Sequence, residues 1–236
     1  VHDGTFSSFR GRAHGAPIPP DVPPSRLVTF VQDHDQVGNR AEGDRLTDAL
    51  STDRLAIAAV LNLCSPFTPM IFMGEEWAAS TPWQFFTAHP EPELAVATAE
   101  GRVAEFAEMG WDTDAVPDPQ DVATFERSHL DWSERDREPH RRILDLYRRL
   151  IALRRGEPDL GGTPFSGLSA GYDDTARTFR LRQGGLEVLV NLGDADWDAG
   201  TGEVLLATSD RVDGGVIGPD TAVVSRVPDD QTLNIG

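Results

Sequence analysis

The sequence has 236 residues, of which 39% are hydrophobic and 25% charged, proportions typical of a globular protein with a hydrophobic core. Its 39 acidic residues outnumber the 21 basic residues, all of which are arginine, and the resulting net charge of −18 repels nucleic acids and anionic membranes. No apolar run approaches the roughly 20 residues that a membrane span requires. We therefore expect a soluble protein whose partner is neither nucleic acid nor membrane.

The only cysteine, Cys64, lies in an apolar run and cannot form an internal disulfide. We expect it to be a buried, reduced side chain of a cytoplasmic protein. The six histidines show no close spacing of the kind that metal ligands require. The sequence therefore predicts neither a metal site nor a cofactor.

The first third of the chain has the pattern of a strand, a helix and a second strand. Residues 2–24 are rich in glycine, proline and arginine, and we expect a long irregular loop there. Residues 27–31 and 70–73 are short apolar runs, typical of strands buried on both faces. Between them, residues 51–63 combine a possible N-cap with an apolar helical surface. This order predicts a βαβ unit and a parallel sheet.

The character of the sequence changes after residue 156. Before it we expect two more helices, and after it short strand-like runs separated by Gly/Asp turns, which indicate a small antiparallel β domain. The expected helices cover residues 93–109 and 137–155, and the expected strands cover 178–182, 186–191, 203–208 and 222–227. We therefore divide the chain into residues 1–156 and residues 157–236.

Both apolar strands of the first part run into carboxylates. His34 and Asp35 follow the first strand, and Glu75 and Glu76 follow the second. In parallel α/β barrels the active site lies at the carboxyl ends of the strands, where such side chains meet. An ordinary solvated turn explains the pattern equally well, so the pattern alone leaves both interpretations open.

The sequence of residues 30–35, Phe-Val-Gln-Asp-His-Asp, resembles a conserved region of the α-amylase family of glycoside hydrolases, where a strand ends in Asn/Asp-His-Asp. This resemblance implies an α/β fold. Residues 1–156 would form the last part of a (β/α)8 TIM barrel, with strands seven and eight, and residues 157–236 a C-terminal antiparallel β-sandwich. It also implies that Asp35 is the carboxylate that stabilises the transition state and that His34 contacts the same sugar ring. Asp33 stands where the family usually has Asn.

Four further stretches of sequence resemble the trehalohydrolase branch of that family. They are residues 32–40, 73–77, 84–87 and 117–128. The resemblance implies hydrolysis of the α-1,4 bond next to the terminal trehalose of maltooligosyltrehalose, an α-glucan oligosaccharide, by a retaining mechanism. The nucleophile and the acid/base are expected upstream of this sequence, so the chain alone should be inactive. Candidate substrate-binding residues, each with packing or a solvated loop as the alternative, are His34, Gln36, Arg40, Glu75, Trp83, Phe85, Arg10 and His14.

Two other functions are compatible with the same sequence. One is another α-amylase-family enzyme, such as a glycogen branching enzyme. The sequence of residues 36–40 argues against this alternative. The other is a non-catalytic α-glucan-binding protein, which would not need the His34–Asp35 pair. Carboxylates at the ends of the fourth and fifth barrel strands, upstream of this sequence, would decide between them.

Overall fold

The computed structural model describes residues 3–108, 110 and 112–226. The described residues up to Gly162 hold four short strands and seven helices, interspersed with short 3₁₀ helices. In chain order these are β1 (Asp3–Ser7), β2 (Arg12–Gly15), β3 (Val28–Thr29), α1 (His34–Gly38), α2 (Leu46–Ala49), α3 (Thr52–Leu63), β4 (Thr68–Pro69), α4 (Pro92–Glu108), α5 (Val122–Arg127), α6 (His140–Gly156) and the kinked α7 (Asp159–Gly162).

Strands β3 and β4 form the parallel pair that the sequence predicts, with α3 between them along the chain. Val28 lies opposite Thr68, and the backbone N–H of Met70 donates to the carbonyl of Thr29 at 2.8 Å. The prediction that the second strand covers residues 70–73 is wrong, because pairing with the two-residue β3 ends at Met70. Gly74, with φ of 86°, then turns the chain into the 3₁₀ helix Glu75–Trp77.

The two strands are not buried on both faces, contrary to the prediction. Val28 is 59% exposed, and Phe30, Met70 and Met73 are also exposed. Burial on both faces of a parallel strand requires neighbouring strands and covering helices. Within residues 3–108, 110 and 112–226, β3 and β4 pair only with each other.

The expected irregular loop at residues 2–24 contains an antiparallel hairpin of β1 and β2, so that prediction is wrong in part. A tight turn closes the hairpin, with the backbone N–H of Arg10 donating to the carbonyl of Ser7 at 3.2 Å and with Gly11 at φ of 62°. The pattern gave no sign of these strands because most of their side chains are exposed, and alternation of apolar and polar residues arises only when one face is buried.

The three long helices confirm the helix predictions. The Ser51 hydroxyl caps α3 by accepting from the backbone N–H of Arg54 at 3.3 Å. Helix α4 ends at Glu108, and the expected last residue, Met109, lies outside the described residues. Helix α6 begins at His140, three residues later than expected, and follows a 3₁₀ helix at Trp132–Asp136. It buries one apolar stripe that includes Ile143, Leu146, Tyr147 and Leu150.

The last part of the chain is antiparallel β structure in two sheets. The five-stranded sheet has the order β5-β6-β7-β12-β9, and the three-stranded sheet has the order β10-β11-β8. The strands are β5 (Leu168–Asp173), β6 (Thr178–Gln183), β7 (Leu186–Asn191), β8 (Trp197–Asp198), β9 (Glu203–Ala207), β10 (Val212–Asp213), β11 (Val216–Ile217) and β12 (Thr221–Arg226).

All four predicted strands of this part are present. The sequence pattern did not predict β5 or the two-residue strands β8, β10 and β11. The last predicted residue, Val227, lies outside the described residues. Leu189 and Val223 on one face of the larger sheet pack with Ala199 and Ile217, so the two sheets enclose a small core. This is the expected C-terminal β-sandwich.

The other face of the large sheet packs on the helices of the first part. Val188 of β7 and Val224 of β12 belong to the same buried cluster as Val60 of α3 and Leu150 of α6. Polar contacts cross the same boundary, since the side-chain amide of Gln183 donates to the carbonyl of Cys64 at 2.5 Å. Burial also raises the pKa of the Cys64 thiol to about 12. The division after residue 156, which stays a prediction, therefore separates two sets of elements that share one core.

Candidate active site

Helix α1 carries the candidate catalytic pair at its first turn. The Asp33 carboxylate caps the helix by accepting from the backbone N–H of Gln36 at 2.8 Å. His34 and Asp35 are the first two helical residues, and His34 Nε2 lies 3.2 Å from Asp35 Oδ1. Their side chains are 69% and 74% exposed, so backbone geometry rather than burial fixes where they point. Both groups are free to meet a molecule that lies over this end of the helix.

The carboxyl end of α1 is held by an arginine from a distant helix. Arg102 of α4 donates from Nη2 to the backbone carbonyl of Gly38 and, at 3.5 Å, to that of Arg40. Its guanidinium group lies 4.6 Å from the ring centre of Phe85 and 4.8 Å from that of Phe106. The side chain is 7% exposed, and burial lowers the pKa of Arg102. A buried cation beside helix-terminal carbonyls is favourable, because those carbonyls carry partial negative charge.

The aromatic loop that follows β4 packs against the same short helix. The indole ring of Trp83 lies so close to Gly38 that an added Cβ there would be 3.6 Å from Cδ1. The ring also meets Phe72 and Phe86 edge to face, at centroid distances of 5.8 and 5.3 Å. Gly43 has φ of 67°, and an added Cβ would lie 2.4 Å from the Trp83 carbonyl oxygen. Only glycine fits at this close approach.

A second buried arginine joins the two strand-end loops. Arg45 is 2% exposed and donates from Nε to the carbonyl of Thr81 at 2.6 Å and from Nη1 to that of Met73 at 3.0 Å. Burial lowers the pKa of Arg45, although the carboxylates of Glu75 and Asp48 act in the opposite direction. This residue fixes the loop after α1 to the loop after β4. No pattern in the sequence around Arg45 indicated that it would join these loops.

Glu75 is buried, in contrast to the exposed His34–Asp35 pair. Its Oε1 accepts from the Tyr147 hydroxyl at 2.7 Å and its Oε2 from the Phe72 N–H at 3.4 Å, and the residue is 8% exposed. Burial raises the pKa of Glu75, while the Tyr147 hydrogen bond partly offsets this effect. The carboxylate thus connects the end of β4 to helix α6. Contact between Glu75 and substrate stays a prediction. The neighbouring Glu76 has one buried carboxylate oxygen without a partner in the described structure.

The remaining candidates fall into two groups. Gln36 and Arg40 line a groove of about 260 Å³, where Arg40 also pairs with Asp44 at 2.6 Å. Arg10 lies in the turn of the β1–β2 hairpin and His14 in its second strand. The structure therefore brings His34, Asp35, Gln36 and Arg40 together on and after α1, with Trp83 and Phe85 in the adjoining loop. It places Arg10 and His14 in a hairpin of their own.

A larger cleft of about 610 Å³ adjoins this groove, with Asp44 on the wall of both. Its other polar lining residues include Glu42, Asp48, Gln84 and Asp114. Carboxylates and amides of this kind accept hydrogen bonds from neutral hydroxyl groups. Among the described residues no cluster of three or more His, Cys, Asp or Glu side chains is arranged to hold a metal ion, and no helix is long and apolar enough to cross a membrane.

Known proteins resemble the chain over most of its length. It is 58% identical over 220 residues to the malto-oligosyltrehalose trehalohydrolase of Brevibacterium helvolum, which covers 91% of this chain and 37% of that protein. It is 60% identical over 191 residues to the enzyme of the same name from Arthrobacter ramosus, covering 81% of this chain and 32% of that protein. The family described as "Domain of unknown function (DUF3459)" matches residues 164–224. The chain thus spans about a third of the length of these curated relatives.

A solved structure shares the fold. An alpha amylase-type protein from Salmonella typhimurium superposes with a TM-score of 0.83 and 31% identity, over 96% of this chain and 39% of that one. Fold, strand-end carboxylates and sequence together define the class: the chain belongs to the α-amylase family of glycoside hydrolases. Within that class its sequence is similar to the malto-oligosyltrehalose trehalohydrolases.

Proposed function

We propose that the enzyme to which this segment belongs hydrolyses the α-1,4-glucosidic bond next to the terminal trehalose of maltooligosyltrehalose and releases trehalose. The observation that carries the proposal is the exposed His34–Asp35 pair at the start of α1, just beyond β3. It occurs in a chain whose relatives at 58% and 60% identity bear the name of that activity. The substrate is an uncharged α-glucan oligosaccharide, so the net charge of −18 does not repel it.

Asp35 would stabilise the transition state rather than attack the bond. Retaining hydrolysis needs two carboxyl groups about 5–5.5 Å apart across the scissile bond, one as nucleophile and one as acid/base. Glu75 is a poor partner for Asp35 in such a pair, because its carboxylate is buried against Tyr147. We assign nucleophile and acid/base to the part of the enzyme outside this segment. The Asp35 carboxylate accepts hydrogen bonds from ring hydroxyls and favours a distorted, oxocarbenium-like ring.

The test is Asp35→Asn in the full-length enzyme. The amide keeps the shape and loses the charge, so we expect kcat for trehalose release to fall about 10²–10³-fold, with KM changed little. Asp33→Asn is the matched control, since Asn caps a helix as well as Asp does, and its activity should stay within a few-fold of wild type. Circular dichroism checks that both variants fold. A folded Asp35→Asn enzyme with nearly normal kcat would remove Asp35 from the catalytic set.

Product analysis separates this proposal from its two alternatives. A trehalohydrolase releases free trehalose, whereas a branching enzyme transfers glucan and releases none. A non-catalytic glucan-binding protein would bind maltooligosyltrehalose in calorimetry and leave it intact. We also propose that the enzyme works in the cytoplasm, where a segment with one buried cysteine needs no disulfide.

A further inference from the structure

Arg102 stands between two groups that the proposed function uses. Its guanidinium group donates to the carbonyls of Gly38 and Arg40, at the end of the helix that begins with His34 and Asp35. One ring that it contacts, Phe85, is 38% exposed and is a candidate sugar-binding side chain. We propose that Arg102 is a positioning residue that fixes the Asp35 helix and the Phe85 ring relative to one another, so that both meet one bound oligosaccharide. This inference rests on the proposed function.

The short helix α1 depends on contacts outside itself for its position. Helix α1 has five residues, and an isolated helix of that length is unstable in water. Its start is held by the Asp33 cap, and its end is held by Arg102 and by Trp83, which packs against Gly38. The exposed Asp35 side chain has few contacts of its own to fix it. The position of its carboxylate therefore depends on how firmly the two ends of α1 are held.

A guanidinium group fits the place that Arg102 occupies. It is planar, so it can lie against the rings of Phe85 and Phe106 while its edge donates to carbonyl oxygens. A lysine ammonium group could reach a carbonyl but could not fill the space between two rings. Arg102 thus makes two separable contributions, a hydrogen bond to α1 and a planar contact with Phe85.

Another arginine, Arg154, holds the end of a different helix in the same way. Arg154 of α6 donates from Nη1 to the carbonyls of Leu63 and Ser65, at 2.8 and 2.7 Å, and so holds the end of α3. Burial lowers the pKa of this arginine too. The helix that it holds carries none of the candidate site residues. Arg154 is therefore the matched control for a role that is only structural.

The experiment uses the full-length enzyme and maltooligosyltrehalose. We expect Arg102→Ala to lower kcat about 10–100-fold, as loss of positioning by an ångström or less does, and to raise KM as well. Guanidinium chloride at low, non-denaturing concentration should restore part of the lost kcat by occupying the vacated space. Arg154→Ala should lower the melting temperature, keep kcat and KM within about two-fold, and gain nothing from guanidinium.

Arg102→Lys separates the two contributions and serves if the alanine variant does not fold. It should retain most of kcat, because the ammonium group still reaches the Gly38 carbonyl, and should show a raised KM, because Phe85 loses its planar neighbour. Wild-type kcat and KM in a folded Arg102→Ala enzyme, or in Arg102→Lys where the alanine variant does not fold, would overturn the inference. In a variant that folds in part, a loss of activity equal to its loss of folded protein, without guanidinium rescue, would also overturn it.

The outcome for Asp35→Asn distinguishes this inference from the proposed function. An inactive Asp35→Asn enzyme together with unaffected Arg102 variants contradicts the positioning role alone. An active Asp35→Asn enzyme contradicts the assignment on which that role rests.

Discussion

Glu75 shows how a single side chain near the site can serve the fold. Sequence resemblance predicts that it binds substrate, whereas the structure gives both of its oxygens hydrogen bonds from within the chain, from Tyr147 and Phe72. A buried carboxylate is costly in its charged form unless it is well paired. The raised pKa of Glu75 reflects that cost, with burial as its largest cause.

The raised pKa leads to a prediction about stability. The folded protein keeps the Glu75 proton at pH values where the unfolded chain, with a pKa near 4.5, has released it. The stability that this carboxyl contributes is fully present below about pH 4.5 and is lost as the pH rises through its raised pKa. Glu75→Gln resembles the protonated form and still accepts from Tyr147. We expect its free energy of unfolding to match wild type below pH 4.5 and to exceed it at neutral pH.

Urea titrations at a series of pH values measure this difference. A variant less stable than wild type at neutral pH would show that the charged form is well paired. If Glu75 also binds substrate, KM of the variant will rise even though its stability does not fall.

At the scale of elements, the contacts between α3, α6 and the sheet are polar at one end. Asp53 in the first turn of α3 accepts from Arg142 of α6 and from Arg211, both at 2.7 Å. Burial alone would raise the pKa of Asp53, but the hydrogen bonds from the two arginines outweigh it and lower the pKa below 3.8. One carboxylate thus ties a helix of the first part to another helix and to the β structure.

We expect Asp53→Asn to lower the free energy of unfolding at neutral pH by about 1 kcal/mol, since the pairs are partly exposed. A lowered folded pKa contributes stability above the unfolded pKa, and that stability is lost as the pH falls through the folded value. The difference from wild type should therefore shrink below about pH 3.8, the ordinary value of this carboxyl. Asp145→Asn, which breaks only the exposed pair with Arg148, is the control and should change little. Equal effects of the two substitutions would contradict the assignment.

Sequence reasoning succeeded for elements whose information is local. Helices α3 and α6 carry an apolar surface and a cap or a terminating glycine within their own residues. It failed for β1 and β2, whose mostly exposed side chains leave no alternation. It also missed the two buried arginines at the site, Arg45 and Arg102, since Arg102 meets the Gly38 carbonyl across 64 positions of sequence. The resemblance to the family marked His34 and Asp35 as candidates, and the structure showed that they begin a helix.

At the scale of the whole molecule, one core joins the two parts of the chain. The fully buried Leu150 of α6 lies in the same cluster as Val60 of α3 and Val224 of β12. Such a core gives no place where one part can unfold and leave the other intact. We expect the helices and the large sheet to lose their structure in a single transition.

Leu150→Ala tests this expectation. Removing a fully buried leucine should cost about 2–5 kcal/mol, and hydrogen exchange should show equal loss of protection in α3 and in β12. Val204→Ala in β9 changes an exposed side chain and should leave both protected. If α3 loses protection while β12 keeps it, the two parts are separate folding units.

The shared core also has a consequence for the order in which the chain can fold during synthesis. Helices α3 and α6 leave the ribosome well before β12, whose Ala222 and Val224 help to cover their apolar surfaces. Those surfaces therefore stay uncovered until the chain has been made to about Arg226. A nascent chain that pauses before this point would expose the apolar surfaces of the two helices, so this segment should depend on chaperones most strongly just before β12 emerges.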